Sequence, residues 1–446
     1  MKPYKHQPDP QQHTLPSGIP YIVANEAAER FSYYGMRAIL VVFMTQYLTN
    51  STGALAVMSE QEAQGYFHLF VSAVYFMPLL GALASDGLLG KYRTIIFLSL
   101  VYCLGHLALA IDNTRMGLLL GQSLIALGAG GIKPCVSAHV GDQFGSANQH
   151  LVGKVFSWFY FSINLGAFAA MLIIPWLLDR YGPSVAFGIP GSLMLVATLA
   201  FWSGRYQFVH IKPAGRDFIR EMFSQFGISI LGKLASVYVF IAIFWALFEQ
   251  IGSSWILQAQ KMDRVFFGVE LLPSQIQAAN PLLIMILTPL FTYFIYPRLN
   301  GLFDLTALRK MAIGLFLTVI AFAVPSAIQM QLDHGSVPNI IWQLVAYVIL
   351  TSAEVMVSIT CLEFSYRQAP KTMKSFVMAF YFLSVAVGNL FTSAVNFFIQ
   401  NDDGTSKLTG ASYFWFFTII MLITAVLFLW ASSHLQENNH FRDNPS

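Results

Sequence analysis

Charged residues are scarce in this chain. Only 11% of its 446 residues are Asp, Glu, Lys or Arg, while 56% are hydrophobic. A water-soluble domain carries about a quarter charged residues, so the deficit excludes an ordinary soluble globule. Cysteine is equally sparse. Cys103, Cys135 and Cys361 all fall in apolar blocks without ligand spacing, which argues against a disulfide framework or a metal ribbon and leaves small buried side chains. The ten histidines show no H-E-x-x-H spacing and no Cys/His cluster, so a membrane enzyme lacks its usual ligands and nucleophile–base pair. A net charge of +3 gives no reason to expect nucleic acid as a partner. The opening "MKPYKHQPDPQQHTLPSG" has neither the apolar core nor the small-residue cleavage site of a signal peptide, and the first helix is expected to stay in place.

What is present is hydrophobicity in blocks of roughly 18 to 26 residues, each long enough as a helix to cross ~30 Å of hydrocarbon. The pattern predicts an all-α membrane protein of twelve spans, near 21–48, 63–84, 92–110, 116–139, 151–177, 185–203, 234–258, 275–297, 307–329, 338–361, 373–398 and 411–433. The longest connection, residues 204–233, is charged and interrupted by proline. It reads as a linker, with a short amphipathic helix expected near Arg216–Phe226. The expected organisation is a tail (1–18), a six-helix bundle (19–203), the linker (204–233), a second six-helix bundle (234–434) and a tail (435–446). With both ends on one side, seventeen of the 25 basic residues lie on that side and five on the other. The positive-inside rule then makes the linker and both termini cytoplasmic. Two six-helix halves suit a secondary transporter that rocks about a midplane site. Charges spread over two halves rather than set in a ring disfavour a passive channel.

Seven ionisable side chains fall inside these spans: Glu26, Glu29, Arg30, Arg37, Lys133, Glu249 and Glu354. Each unpaired charge at a helix centre costs about 2.5–3.5 kcal/mol even on the mild insertion scale. Seven together would cost on the order of 20 kcal/mol, beyond the ~5–15 kcal/mol of a folded domain. They are therefore expected to face one another or a wet cavity. At 100° per residue Glu26, Glu29, Arg30, Tyr33 and Arg37 share about a 100° arc, with Tyr34 beside it. Four carboxylates against three cations leave one carboxylate without a fixed partner, and such a group readily carries a proton. His68 and Tyr75 stand at i and i+7 in the second span. Histidine is the natural proton-binding side chain near neutral pH, although a lone buried one is as often structural. Asp86, Lys91 and Arg93 are placed to clamp the second and third spans or to gate the cytoplasmic side. Asn164 and Asn280 are either interhelical glue or amides suited to a peptide bond.

Five ordered stretches resemble one family, the proton-dependent oligopeptide transporters of the major facilitator superfamily. The first-helix signature ExxERFxYYG is met by Glu26, Glu29, Arg30, Phe31, Tyr33, Tyr34 and Gly35. "GALASDGLLGKYRT", "WFYFSINLGA", "FWALFEQIGSSW" and "CLEFSYRQAP" resemble its later motifs, so the likeness covers nearly the whole chain. The resemblance implies a major facilitator fold and a peptide:proton symporter driven by the proton gradient, with no cofactor. It implies proton coupling by Glu26, Glu29, Arg30, His68, Lys133 and Glu249. It further implies peptide contacts from Tyr34, Arg37, Tyr75, Lys133, Asn164, Asn280, Glu354 and Tyr381. Arg37 and Lys133 would take the peptide carboxylate, Glu354 its amino group and the asparagines its backbone. Glu249 would pair with cations of the first half when substrate is absent. The implied partners are di- and tripeptides, protons and membrane lipid, with the oligomeric state left open. A symporter of nitrate or a single amino acid is the alternative, but nitrate would leave Glu354 without a partner. Tyr381 stands where many members carry Trp. The short linker and the short loop near Asp333 leave no room for the extra helix pair of many bacterial members or the large outer domain of animal ones. That suggests a compact twelve-span form of a bacterial inner membrane.

Overall fold

A computed structural model describes residues 4–213, 224–368, 374–401 and 405–437. Twelve long helices run through these residues. They are α1 Ile19–Gln46, α2 Glu60–Leu89, α3 Lys91–Ile111, α4 Arg115–Gly141, α5 Ser146–Tyr181, α6 Pro183–Tyr206, α7 Gly227–Gln260, α8 Pro273–Leu302, α9 Ala307–Asp333, α10 Ile341–Gln368, α11 Phe376–Ile399 and α12 Ala411–Ser432. Eleven are long and apolar enough to cross a membrane; α1 stands apart because of its four charges. Each coincides with a span expected from the sequence, most of them extended by a few residues at the polar ends, where hydropathy falls but backbone hydrogen bonding continues. The amphipathic helix expected near Arg216 lies mostly outside the described residues. A small hairpin of β1 (Val265–Phe266) and β2 (Val269–Glu270) follows α7. Phe267 and Gly268 at its tip both have positive φ, 48° and 81°, as a tight hairpin turn demands.

The chain forms two compact units. The first holds residues 1–58 and 70–224, the second residues 59–69 and 225–446. This departs from the expected division, which kept the whole second span with the first half. The first turns of α2 belong to the second unit, and the helix from Phe70 onward belongs to the first.

Within the first unit α1 packs on α5 and α6, and α3 packs on α4 and α6. Small residues set the spacing. A Cβ on Gly81 of α2 would fall 2.3 Å from the Gly131 carbonyl oxygen of α4, and one on Gly130 would fall 2.3 Å from the Val74 oxygen. The two backbones therefore touch, as small-residue crossings in membranes allow. In the second unit α7 packs on α11 and α12, and α9 on α10 and α12. Gly388 lets α11 approach α7, where a Cβ would meet the Ala242 oxygen at 2.1 Å. Three helices carry π-turns: Ser85–Leu89, Phe291–Ile295 and Val355–Ile359. Such bulges recur at functional positions, and the last begins directly after Glu354.

Candidate functional site: two buried polar constellations

In the first unit the charged stripe of α1 is buried. Glu26, Glu29, Arg30, Tyr33 and Arg37 are between 0% and 7% exposed. Arg30 donates from Nε to Glu26 Oε1 at 2.7 Å. Glu29 Oε2 lies 3.0 Å from the same nitrogen, an ion-pair distance without hydrogen-bond geometry, since that oxygen has no hydrogen-bond partner. One guanidinium thus serves two carboxylates, which outnumber it by one charge when both are ionised. Lys133 of α4 also acts electrostatically on Glu29. Its Nζ sits over two aromatic faces, 3.9 Å from the Tyr75 ring centroid and 4.7 Å from that of Tyr33, so cation–π attraction offsets part of its desolvation. The Gly130 and Gly131 contacts with α2 bring Lys133 to Tyr75. Tyr34 stands edge-on to Tyr33 at 5.3 Å.

One expected site residue and one expected clamp residue are differently engaged. Asn164 donates one of its two amide hydrogens to the Tyr160 carbonyl of its own helix at 2.9 Å. Lys91 pairs with Asp142 at 2.8 Å, so the clamp runs from α3 to the end of α4 rather than between the second and third spans. Tyr102 of α3 was not singled out from the sequence. Its buried hydroxyl has no hydrogen-bond partner among the described residues.

The second unit holds the other constellation. Asn280 of α8 donates to Glu354 Oε2 at 2.8 Å and to Thr351 Oγ1 at 3.2 Å. The amide assigned to peptide backbone is here the positioning partner of the carboxylate. The Tyr381 hydroxyl lies 3.1 Å from Ser358 Oγ, within the π-turn after Glu354. Glu249 is 1% exposed and opens the 3-10 turn Glu249–Gly252 that interrupts α7.

His68, in the part of α2 that belongs to this unit, is fully buried between two partners. Its Nδ1 is 2.8 Å from Asn389 Oδ1 and its Nε2 is 2.8 Å from Ser253 Oγ. The Asn389 amide nitrogen donates to the Val385 carbonyl, so its oxygen must accept and His68 Nδ1 carries a hydrogen. Ser253 can donate to a neutral Nε2 or, with its hydroxyl rotated, accept from a protonated one. The pocket can therefore hold either protonation state. His68 and Tyr75, expected on one helix face, belong to different constellations. Asn389 and Ser253 escaped the sequence reading, although a signal existed. Asn389, Thr392, Ser393 and Asn396 follow the i, i+3, i+4, i+7 spacing of one helix face, and all four are buried.

A family profile described as "POT family" matches residues 92–234 and 225–416. The chain is 36% identical over 368 residues to "Peptide transporter family 1" of Drosophila melanogaster, covering 72% of this chain and 48% of that protein. It is 35% identical over 370 residues to human "Solute carrier family 15 member 2", covering 72% and 50%. The chain thus spans about half the length of these relatives. Among solved structures, the POT family transporter PepTSo superposes with a TM-score of 0.84 at 36% identity, over 96% of this chain and 100% of that one.

Proposed function

The chain belongs to the POT family, the proton-dependent oligopeptide transporters, and from that premise we propose that it imports di- and tripeptides together with protons by alternating access. The proposal places it in the inner (plasma) membrane of a bacterium, with both termini cytoplasmic. The relative from Drosophila melanogaster is named for peptide transport. One observation carries the reading to this chain: Glu354, an intramembrane carboxylate, is held in place by a donated amide from Asn280. A fixed anion of this kind recognises an ammonium group, which peptides carry and nitrate lacks. Arg37 and Lys133 of the first unit would take the peptide's carboxylate. The Glu26–Glu29–Arg30 triplet, with one negative charge in excess, would take the proton, and Glu249 would pair with cations of the first unit when no peptide is bound. Each entering proton supplies about 2.3 kcal/mol per 100 mV of membrane potential.

Uptake of labelled dialanine into liposomes under an imposed pH gradient and potential tests the proposal. Accumulation that unlabelled trialanine competes away, and that free alanine and nitrate leave intact, is the expected result. Competition by nitrate or alanine instead would move the substrate to the alternative class.

A further inference from the structure

The connection between α7 and α8, "KMDRVFFGVELL", breaks a local rule at its hairpin turn. A two-residue turn with both central residues at positive φ favours Asn-Gly or Asp-Gly, whose short side chains tolerate that backbone. Phe267 holds the first of these positions at φ 48°, where a bulky side chain is unfavourable. Its ring is 89% exposed, so contact with the described residues does not offset that strain. The register of β1 and β2 pairs Phe266 with Val269, which puts those two side chains on one face of the hairpin. Phe267 stands edge-on to Phe266, centroids 4.6 Å apart, and Val269 is exposed. Three apolar side chains thus share the tip.

Charged side chains are confined to the base, and they fix the hairpin in place. Arg264 donates from Nε to the Leu271 carbonyl at 3.0 Å and from Nη1 to the Gln260 carbonyl at 3.2 Å. It also pairs with Glu270 at 2.8 Å. Asn339, just before α10, donates to Asp263 Oδ2 at 2.7 Å and to the Val265 carbonyl at 3.1 Å. Ile340 N donates to the Asp263 carbonyl at 2.8 Å. The hairpin is therefore fastened both to the end of α7 and to the start of α10, the level at which these spans leave the hydrocarbon. Next to this junction α10 exposes Ile341, Trp342, Val345 and Val348. Their i, i+1, i+4, i+7 spacing makes one apolar side of a membrane-spanning helix, which acyl chains cover. Trp342 stands three residues beyond Asn339, and tryptophan gathers at the boundary between membrane and water. The apolar tip is thus continuous with a lipid-facing surface and held rigidly beside it.

We propose that Phe267, with Phe266 and Val269, inserts into the interfacial layer of the bilayer and holds the ends of α7 and α10 at a fixed depth. The partner of this face is the lipid surface itself. Insertion of the ring gives the strained turn residue its apolar contact. The inference rests on the membrane-spanning helices and not on peptide being the cargo, so failure of either leaves the other standing.

Nitroxide labels on Phe267→Cys and, separately, on Val269→Cys test this with the full chain reconstituted in liposomes. The parent, which keeps Cys103, Cys135 and Cys361, is carried through the same labelling as a blank. Ser51→Cys, in the polar connection between α1 and α2, is exposed and serves as the water reference. Electron paramagnetic resonance compares collisions with oxygen, which concentrates in lipid, and with a nickel chelate, which stays in water. The oxygen-to-nickel ratio at Phe267 is expected to exceed that at Ser51 by about threefold or more, with Val269 between them. Ratios at both sites equal to that at Ser51 would leave the hairpin in water and overturn the proposal. Few collisions with either reagent would mean cover by protein, a second copy included, and would overturn it equally. Phe267→Asn, which suits the turn, should lower the ratio in the Val269→Cys chain by about twofold through loss of the inserted ring. An unchanged ratio there would overturn the role given to Phe267.

Discussion

Glu354 and Asn280 form a pair in which each residue explains the other. The amide that donates to Oε2 holds the carboxylate in one orientation. Replacing Glu354 with Ala should weaken dipeptide binding by at least tenfold in competition assays. Asn280→Ala, which frees the carboxylate to turn, should weaken it by a smaller factor. Unchanged affinity in Glu354→Ala would refute its placement. His68 offers a different test, since both of its ring nitrogens are occupied by groups that tolerate a change of protonation. His68→Gln should flatten the pH dependence of uptake between about pH 5 and 8, where an imidazole titrates; an unaltered profile would return His68 to a structural role. The charged residues of both constellations were legible because ionised side chains in apolar runs are costly enough to demand an explanation. Their small neutral partners were not. A serine or an asparagine in a membrane helix most often bonds to its own backbone, as Asn164 does, and a linear sequence does not show which one will cross to a neighbour, as Asn389 does.

The same contrast holds for whole elements. Helices could be placed from the sequence because hydrocarbon thickness sets a minimum run of apolar residues. The hairpin at Val265–Glu270 could not, because two-residue strands carry too short a pattern. Nor could the π-turns, which arise from packing around a local irregularity. Glycines fix the close approaches on which the site geometry depends. Gly130→Val should force α4 off α2, because a Cβ there would fall 2.3 Å from the Val74 carbonyl oxygen. Overpacking of this kind costs about 1–3 kcal/mol, so a lower unfolding temperature together with weaker transport is expected. Parental stability would show that α4 can shift without penalty. The N-terminal tail is pinned where His210 N donates to Lys5 O at 2.8 Å, and this junction should respond to acid. Burial holds the His210 imidazole below its ordinary value against the opposing hydrogen bond to Arg205, and the charges of His6 and Arg93 push the same way as burial. Protonation therefore favours the detached tail, and the junction should weaken as pH falls through the ordinary histidine range near ~6.5. Amide exchange at His210, corrected for intrinsic rates, should rise from pH 7.5 to 5.5. Constant protection would contradict this.

At the scale of the molecule, the described residues carry charge at the ends of the helices and in two buried constellations, one in each unit. Apolar packing alone would hold twelve helices together at less cost than buried ions do. The proposed function gives those ions their work, the movement of a proton with a zwitterion. The central claim is that the Glu26–Glu29–Arg30 triplet makes proton entry conditional on peptide entry. A pH-sensitive dye sealed inside proteoliposomes tests it directly, with dialanine added outside and no pH gradient imposed. The account predicts acidification of the lumen that depends on dialanine and disappears in Glu29→Gln, while that variant still exchanges labelled for unlabelled peptide. Dialanine entry with no acidification, or acidification undiminished in Glu29→Gln, would contradict it.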